Sequence, residues 1–133
     1  MNIISLFTGA GGLDIGFMEA GYNDILASDI MPQAKDSYNT NYPHTTFLLK
    51  DICQVTTEEI KQLIGKQEVD VIIGGPPCQG FSNMGNKNSA DPRNLLFENY
   101  VRIVNALQPK CFLFENVKGL VRTEKHKSFY EEM

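Results

Sequence analysis

The sequence predicts an α/β fold in which a doubly wound, mostly parallel sheet is covered by helices. Strand-like and helix-like stretches alternate along all 133 residues, and glycines end several of the apolar runs. Five predicted strands in this length give roughly 27 residues per unit, close to the ~30 residues of a strand–helix–strand unit. Parallel strands joined by right-handed crossovers are the simplest arrangement for such an alternation.

The first half of the chain contains two predicted strand–helix units. Ile3–Phe7 is a short apolar run, and Leu13–Ala20 has apolar residues at helical spacing before Gly21, a residue typical of helix ends. Asp24–Ser28 has the pattern of a strand. Pro32–Tyr42 is predicted to be a helix because proline favours the first helical turn.

The second half continues the alternation. Thr45–Leu49 is a predicted strand, and residues 56–65 begin with a capping-box pattern and end at a glycine, as helices do. Val69–Ile73 is a continuous β-branched run, typical of a strand that is covered on both faces. Leu95–Leu107 is an amphipathic helix, and Cys111–Phe114 is predicted to be another buried strand.

Composition limits the function classes. The chain is 42% hydrophobic and 21% charged, which is ordinary for a globular domain and argues against disorder. The net charge of −4 is not the basic footprint of a module that binds duplex nucleic acid by itself. The charge is uneven, however, because residues 110–127 hold five Lys or Arg against two Glu. If the chain contacts a polyanion, we expect this basic segment to make the contact. A helix face exposed to solvent explains the basic residues equally well.

Cysteine usage and hydropathy indicate the compartment. The three cysteines, Cys53, Cys78 and Cys111, form an odd number without a CxxC pair, so neither a disulfide framework nor a metal site is predicted. The first residues lack the features of a signal peptide, and no apolar run is long enough to cross a bilayer. We therefore expect a reducing cytoplasm and no membrane association.

A glycine-rich loop, FTGAGGLD over residues 7–14, follows the first strand. A dinucleotide fingerprint would need glycine at position 14, where Asp14 would repel a pyrophosphate. A ligand with an amino-acid end suits the loop better. Asp29 stands twenty residues after Gly9, at the place where doubly wound folds hold ribose hydroxyls. A nucleoside joined to an amino acid without phosphate describes S-adenosylmethionine, although a tight turn without any ligand remains an alternative.

Cys78 lies in a second unusual loop, GGPPCQGFS over residues 74–82, at the carboxyl end of the fourth strand. Ligands of open α/β sheets bind along that edge. Two glycines and two prolines make a stiff loop, a poor place for a core cysteine but a suitable one for a nucleophilic thiol. Cys53 and Cys111 are instead expected to be small buried side chains. A redox role for Cys78 is less favoured because no second cysteine lies near it in sequence.

Glu115 and Asn116 follow the apolar fifth strand. A carboxyl group in such a position can keep its proton by desolvation and donate it to a substrate. If the fourth and fifth strands are neighbours, their ends lie roughly 4.8 Å apart, and Cys78 and Glu115 could then face one substrate. An ion pair between Glu115 and Lys118 is the alternative.

Three motifs together give a resemblance to a known family. F-x-G-x-G-G at residues 7–12, P-P-C-Q-G-F-S at residues 76–82 and E-N-V at residues 115–117 resemble the N-terminal catalytic part of DNA cytosine-5 methyltransferases. The resemblance extends from Ile3 to about Leu120. It implies the Rossmann-like fold of S-adenosylmethionine-dependent methyltransferases, truncated at about five strands, with residues 1–133 forming the N-terminal part of the cofactor-binding domain.

The same resemblance implies S-adenosylmethionine as the cofactor and assigns residues to it. Asp29 and Ile30 would contact the ribose and the adenine, Asp51 and Ile52 would reach the adenine amino group, and Leu96 would pack on the cofactor. The full implied set is Phe7, Thr8, Gly9, Ala10, Gly11, Gly12, Leu13, Asp29, Ile30, Asp51, Ile52, Pro76 and Leu96.

The implied reaction begins with a cytosine that is flipped out of duplex DNA. Cys78 would attack carbon 6, and Glu115 would hold the ring nitrogen N3 and supply a proton, with Asn116 positioning Glu115. Carbon 5 would then accept the methyl group. The residues of the implied substrate loop are Gln79, Gly80, Phe81 and Ser82, and residues 82–92 resemble the segment that closes over the flipped base.

Family members are longer than this sequence. The arginine segment of the cytosine pocket, the target-recognition region and the final helix of the cofactor site are not found before Met133. We therefore expect a fragment or one half of a split restriction-modification methyltransferase, inactive until complemented. A second subunit or self-association through the open sheet edge is expected. A non-catalytic cofactor-binding module and an RNA cytosine methyltransferase are the alternatives.

Overall fold

The computed structural model describes residues 1–77 and 94–116. In these ranges the strands are β1 (Asn2–Leu6), β2 (Asn23–Asp29), β3 (Thr46–Leu49), β4 (Val71–Gly74) and β5 (Cys111–Phe114). The helices are α1 (Asp14–Glu19), α2 (Pro32–Asn41), α3 (Thr57–Ile64) and α4 (Asn94–Leu107). Every predicted strand and helix is confirmed to within two residues at each end. No helix in the described ranges is long and apolar enough to span a membrane.

The five strands form one parallel sheet in the order β3-β2-β1-β4-β5. The strand order reverses between β1 and β4, so the segments that follow these two strands diverge and leave a crevice, the usual ligand site of open α/β sheets. Leu6 pairs with Gly74, and Gly74 pairs with Phe114. The carboxyl ends of β1, β4 and β5 therefore lie side by side. The prediction that the fourth and fifth strands are adjacent is confirmed.

Apolar clusters cover both faces of the sheet. Alternation along β1 sends Ile4 and Leu6 to one face and Ile3 to the other. The larger cluster packs the sheet against α3 and α4, and its buried members include Leu26, Ile60, Ile64, Ile72, Tyr100 and Ile103. The smaller cluster joins Ile3, Val71 and Ile73 to partly buried Leu13, Phe17 and Tyr22. The sequence prediction of a doubly wound α/β fold is confirmed.

Two predictions about burial are wrong. Strand β5 was expected to be buried, but Cys111 is exposed and Phe112 is 51% exposed. An apolar run does not distinguish a central strand from an outer one, and β5 pairs only with β4 in the described sheet. Cys53 is also exposed, because it lies in a short 3₁₀ turn (Ile52–Gln54) that the sequence pattern did not predict.

Asp70 joins three strands at the amino end of the sheet. One carboxylate oxygen accepts a hydrogen bond from the Asn2 backbone N–H at 2.7 Å, and the other pairs with the Lys110 ammonium. The Asp70 backbone also bonds to Asn2 and to Cys111, at 2.9 and 3.2 Å. The Lys110 ammonium, followed by the Asn2 amide, lowers the pKa of Asp70.

Asp70→Asn is expected to destabilise the protein at neutral pH and to have little effect in acid. A carboxyl group with a lowered pKa stabilises the fold above its unfolded-state pKa of about 3.9, and that stability is lost as the pH falls through the folded-state pKa. Urea unfolding between pH 3 and pH 7 measures the difference. Asp36→Asn, on the exposed face of α2, is the matched control. A difference between wild type and Asp70→Asn that does not change with pH would contradict the prediction.

Candidate active site

The glycine-rich loop leaves β1 through an unusual backbone conformation. Phe7 has a φ of 58°, in the left-handed region that residues other than glycine rarely adopt, and such strain is frequent at functional sites. The Thr8 N–H donates to the Ser28 carbonyl at 3.1 Å, and the Gly11 N–H donates to the Thr8 carbonyl at 3.0 Å. The loop is therefore folded back over the end of β2.

Only glycine fits at position 11. Its φ is +88°, and a Cβ atom there would lie 2.6 Å from Cε2 of Tyr42 and 3.0 Å from Cε2 of Tyr38. Both rings belong to α2 or its last turn, and they lie 4.8 Å apart between centroids. Helix α2 thus packs directly on the backbone of the glycine-rich loop.

Asp29 holds the loop from the other side. One carboxylate oxygen accepts from the Gly9 N–H and the other accepts from the Met31 N–H, both at 2.9 Å. Each carboxylate oxygen can accept a second hydrogen bond, so both remain able to bind ligand hydroxyls. The residue predicted to hold a ribose also fixes the conformation of the loop and the start of α2.

A first cavity of about 470 Å³ opens at the carboxyl end of β1, β2 and β3. Six of the predicted cofactor residues line it: Phe7, Asp29, Ile30, Asp51, Ile52 and Leu96. The volume lies within the range of small-molecule sites, and two carboxylates among apolar side chains suit a ligand with hydroxyl and amino groups. The cavity therefore has the size and chemistry of a nucleoside site.

A second cavity of about 380 Å³ adjoins the first, because Phe7 and Gly75 line both. Its other lining residues include Thr8, Gly12 and Leu13 from the glycine-rich loop. Glu115 also lines it. The two cavities together connect the end of the glycine-rich loop with the predicted catalytic carboxyl group.

Four predicted cofactor residues line neither cavity. Gly9 and Gly11 shape the loop, Ala10 is exposed, and Pro76 is buried. The structure adds residues that the sequence did not suggest, among them Met31, Lys50, Cys53 and Leu95 in the first cavity. Each of these is adjacent to a predicted residue, so sequence proximity was the only available signal.

Helix α4 holds the 3₁₀ turn that forms one wall of the first cavity. The Arg102 guanidinium donates to the Val55 carbonyl at 2.8 Å and to the Ile52 carbonyl at 3.3 Å. Asp51 caps the turn by accepting from the Cys53 N–H at 2.9 Å. Desolvation and the Asp51 carboxylate raise the pKa of the Cys53 thiol, so Cys53 is a poor nucleophile although it faces the cavity.

Glu115 continues the ladder between β4 and β5, because its N–H donates to the Gly74 carbonyl at 2.9 Å. A Cβ atom on Gly75 would lie 2.9 Å from Glu115 Oε2, so glycine at position 75 leaves space for the carboxyl group. Glu115 is exposed, which differs from the desolvated position expected from the sequence, and Asn116 is half-buried. The ladder places Glu115 at the sheet edge where β4 also ends.

The predicted nucleophile and substrate loop lie outside the described residues. These are Cys78, Gln79, Gly80, Phe81 and Ser82. Cys78 follows Gly74 by four residues, and the distance from its thiol to Glu115 remains a prediction. The ion pair suggested between Glu115 and Lys118 also involves a residue outside the described ranges.

Fold and site together define a class of protein. A parallel sheet in the order β3-β2-β1-β4-β5, with a glycine-rich loop after β1 and an acid at the end of β2, is the Rossmann-like architecture of S-adenosylmethionine-dependent methyltransferases. The family model of C-5 cytosine-specific DNA methylases matches residues 1–133, and the chain belongs to this family. The resemblance inferred from the three motifs is confirmed.

Bacterial type II methyltransferases are similar to the chain along most of its length. M.XorII of Xanthomonas oryzae pv. oryzae is 45% identical over 132 residues, 98% of this chain and 31% of the relative. M.DdeI of Desulfomicrobium norvegicum is 47% identical over 121 residues, 91% of this chain and 29% of the relative. M.AquIA of Picosynechococcus is 41% identical, with 95% of this chain and 52% of the relative covered. The chain thus spans about a third to a half of these relatives.

Solved structures agree with this assignment. A DNA modification methyltransferase encoded within an Escherichia coli prophage superposes with a TM-score of 0.86 at 37% identity, covering 99% of this chain and 36% of the other. A mutant of Spodoptera frugiperda DNMT2 gives a TM-score of 0.71 at 32% identity, covering 98% and 40%. Schizosaccharomyces pombe Dnmt2, with a TM-score of 0.73 at 23% identity, supports the fold alone.

Proposed function

We propose that this chain forms the cofactor-binding and catalytic part of an enzyme that transfers a methyl group from S-adenosylmethionine to carbon 5 of cytosine in DNA. The observation that carries the proposal is the pair of adjoining cavities at the switch point of the sheet, which joins Asp29 and Asp51 to Glu115. The similarity to type II methyltransferases favours a restriction-modification role. S-adenosylmethionine is the methyl donor that the family implies.

The described residues fit this methyl donor. Asp29 has lone pairs available for the ribose hydroxyls, while its hydrogen bonds to Gly9 and Met31 keep the carboxylate in place. Ile30 and Leu96 offer apolar surfaces for the adenine, and Asp51 lies at the same cavity to accept from its amino group. Thr8, Gly12 and Leu13 line the second cavity, where the amino-acid end would lie. When bound, S-adenosylmethionine supplies an electrophilic methyl group.

The chain's own residues would activate the cytosine. The Cys78 thiolate would form a bond to carbon 6, while Glu115 protonates N3 so that negative charge does not accumulate on the ring. After carbon 5 has gained the methyl group, loss of its proton to solvent would form the double bond between carbons 5 and 6 and expel the Cys78 thiolate, and N3 would return its proton to Glu115. Asn116 would position Glu115, and residues 79–82 would contact the flipped base.

The proposed substrate is duplex DNA with a flipped cytosine. A net charge of −4 gives the chain little attraction for a polyanion, so most phosphate contacts would come from another part of the enzyme. The relatives are bacterial, and the proposed place of action is the cytoplasm. A non-catalytic module and an RNA methyltransferase are less favoured, because the family model of C-5 cytosine-specific DNA methylases matches residues 1–133.

The outer strand β5 is the proposed place for a partner. Phe112 and Leu113 are 51% and 38% exposed, although both are large apolar side chains. Apolar outer strands tend to pair with further strands. The remainder of the catalytic domain, on the same or a second polypeptide, would cover β5, and self-association through this edge is the alternative.

Calorimetric titration of this chain with S-adenosylmethionine and S-adenosylhomocysteine tests the proposal. We expect both compounds to bind with one site per chain, because the described strands, helices and loops already provide residues that line both cavities. Circular dichroism establishes that the titrated sample is folded, and Asp36→Asn, an exposed position that lines neither cavity, should bind like wild type. A folded chain that binds neither compound would contradict the proposed role of the two cavities.

A further inference from the structure

Two carboxyl groups and a tyrosine form a buried network beneath the glycine-rich loop. Asp14 and Tyr38 are fully buried, and Asp24 is 6% exposed. The Tyr38 hydroxyl lies 3.0 Å from Asp14 Oδ1 and also within hydrogen-bond distance of Asp24 Oδ2. The Thr8 hydroxyl donates to Asp14 Oδ1 at 2.7 Å. The network therefore joins α1, β2 and α2 to the loop. Thr8 and Asp14 also line the second cavity, whereas Asp24 and Tyr38 line neither of the two cavities.

The number of available protons limits the charge of this network. A tyrosine hydroxyl has one hydrogen and can donate it to only one of the two carboxyl groups. If both were ionised, the other contact would join a lone pair of Tyr38 to a negatively charged oxygen. Among the described residues, Asp14 Oδ2 and Asp24 Oδ1 are buried without hydrogen-bond partners. A proton on one of the two carboxyl groups removes one charge and gives the second contact of the Tyr38 oxygen a donor.

Burial and the neighbouring Asp14 charge favour the proton on Asp24. Asp14 Oδ1 lies within hydrogen-bond distance of two hydroxyl groups, those of Thr8 and Tyr38. Asp24 Oδ2 contacts the Tyr38 hydroxyl, and the Asp24 carboxyl group also interacts with the Asp14 carboxyl group and with the Leu26 backbone N–H. With the proton on Asp24, its carboxyl O–H donates to the Tyr38 oxygen, and the Tyr38 O–H donates to Asp14. The contacts Thr8–Asp14, Tyr38–Asp14 and Asp24–Tyr38 then each have one donor and one acceptor.

The surroundings of Asp24 contain no compensating positive charge in the described structure. Strands β1 and β3, on either side of β2, carry no ionisable side chain, and Thr45 donates only to the Asp24 backbone carbonyl. Helix α1 contributes Asp14, and α2 contributes Tyr38. Burial raises the pKa of Asp24 to about 7, with the Tyr38 hydrogen bond lowering it in part and the Asp14 charge raising it. The other charged side chains of α1 and α2, none of which pairs with Asp24, are Glu19, Lys35 and Asp36.

We propose that Asp24 is a neutral carboxylic acid in the folded chain and that, through Tyr38 and Asp14, it is a positioning residue for the loop of residues 7–14. Tyr38 packs on Gly11, and Asp14 holds the Thr8 hydroxyl, so the network contacts the loop at two points. Loss of the Asp24 proton places a second negative charge beside Asp14 and weakens both contacts. The identity of the ligand at the loop depends on the proposed function, whereas the protonation of Asp24 does not.

The sign of the pH dependence follows from linkage. A carboxyl group whose folded-state pKa is raised contributes stability that is complete below its unfolded-state pKa of about 3.9 and is lost as the pH rises to about 7. Asp24→Asn keeps a donor for the Tyr38 oxygen and cannot ionise. The variant should therefore gain thermal stability relative to wild type as the pH rises.

The experiment compares wild type, Asp24→Asn and the exposed control Asp36→Asn between pH 5 and pH 8.5. We expect the unfolding temperature of Asp24→Asn to rise relative to wild type by several degrees from pH 5 to about pH 7 and to level off above it, while Asp36→Asn follows wild type. Carbon-13 spectra of aspartate-labelled protein should contain one carboxyl resonance that titrates near pH 7 and is absent from Asp24→Asn. Hydrogen–deuterium exchange of residues 7–14 should be several-fold faster in wild type than in Asp24→Asn at pH 8.5 and equal at pH 5.5.

Each outcome bears on a separate part of the proposal. If all aspartate resonances titrate below pH 5, Asp24 is ionised and the proposal is overturned, even if Asp24→Asn does not fold. If Asp24 titrates near pH 7 but exchange in residues 7–14 does not respond, its positioning role is overturned. Between pH 6 and pH 8.5 the affinity for S-adenosylhomocysteine should fall in wild type by three- to tenfold more than in Asp24→Asn. Titration of the ligand itself affects both proteins equally, so it does not contribute to this difference. Absence of binding at every pH would count against the proposed function alone.

Discussion

Cys78→Ser is expected to abolish covalent trapping on duplex DNA that contains 5-fluorocytosine, in an enzyme that combines this chain with the remainder of a catalytic domain. Fluorine at carbon 5 cannot leave as a proton does, so the bond between sulfur and carbon 6 persists and the complex survives denaturation. A serine hydroxyl is far less nucleophilic than a thiolate, and loss of a nucleophile commonly costs several orders of magnitude in rate. Denaturing gel electrophoresis measures the trapped fraction.

The other two cysteines supply matched controls. Cys53 faces the first cavity with a raised pKa, and Cys111 is exposed on β5. Cys53→Ser and Cys111→Ser should therefore be trapped as efficiently as wild type. Trapping that persists in Cys78→Ser would exclude this residue as the nucleophile, and trapping lost only in Cys53→Ser would transfer the role to the cavity cysteine.

Asp29→Ala is expected to have the largest effect on cofactor affinity. Loss of charged hydrogen bonds to the ribose would weaken binding by about 1.5–3 kcal/mol, roughly ten- to more than a hundredfold. The structure adds a second cause, since the Gly9 and Met31 amides also lose their acceptor. We therefore expect lower thermal stability of the ligand-free variant together with weaker binding, as measured by calorimetry and by thermal unfolding.

Asp29→Asn separates the two causes. The amide oxygen can still accept from one of the two backbone N–H groups, so the loop should be partly preserved while the negative charge is lost. We expect an unfolding temperature between those of wild type and Asp29→Ala, with affinity reduced nearly as much as in Asp29→Ala. Unchanged affinity in both variants would show that the ribose assignment is wrong, whatever happens to stability.

Local signals in the sequence predicted the elements well. Apolar periodicity, the proline at the start of α2 and the capping pattern before α3 act within a few residues, so they are visible without the fold. The capping hydrogen bond from the Glu59 N–H to the Thr56 hydroxyl is present at 3.1 Å. The 3₁₀ turn was missed because three residues around Cys53 carry no periodic signal, and its position depends on Arg102, 49 residues later in the chain.

The candidate site was predictable to the extent that it lies in contiguous motifs. The glycine-rich loop, Asp29 and Asp51 were found because their positions follow strands, and parallel strands end at one edge of the sheet. Lys50 and Met31 are adjacent to predicted residues but have no chemical signature of their own. In the sequence Asp14 is only a departure from a dinucleotide fingerprint, and no local pattern predicts its place in a network with Tyr38 and Asp24.

The sequence by itself determined the α/β class, the order of elements and the family, because these depend on short-range patterns and on the three motifs. The tertiary structure decided which apolar strand is exposed and which acids meet. Phe112 is exposed because β5 is the outer described strand, and Asp14, Asp24 and Tyr38 converge because α1, β2 and α2 pack together. Burial and proton sharing are properties of contacts between residues distant in the chain, and no local pattern encodes them.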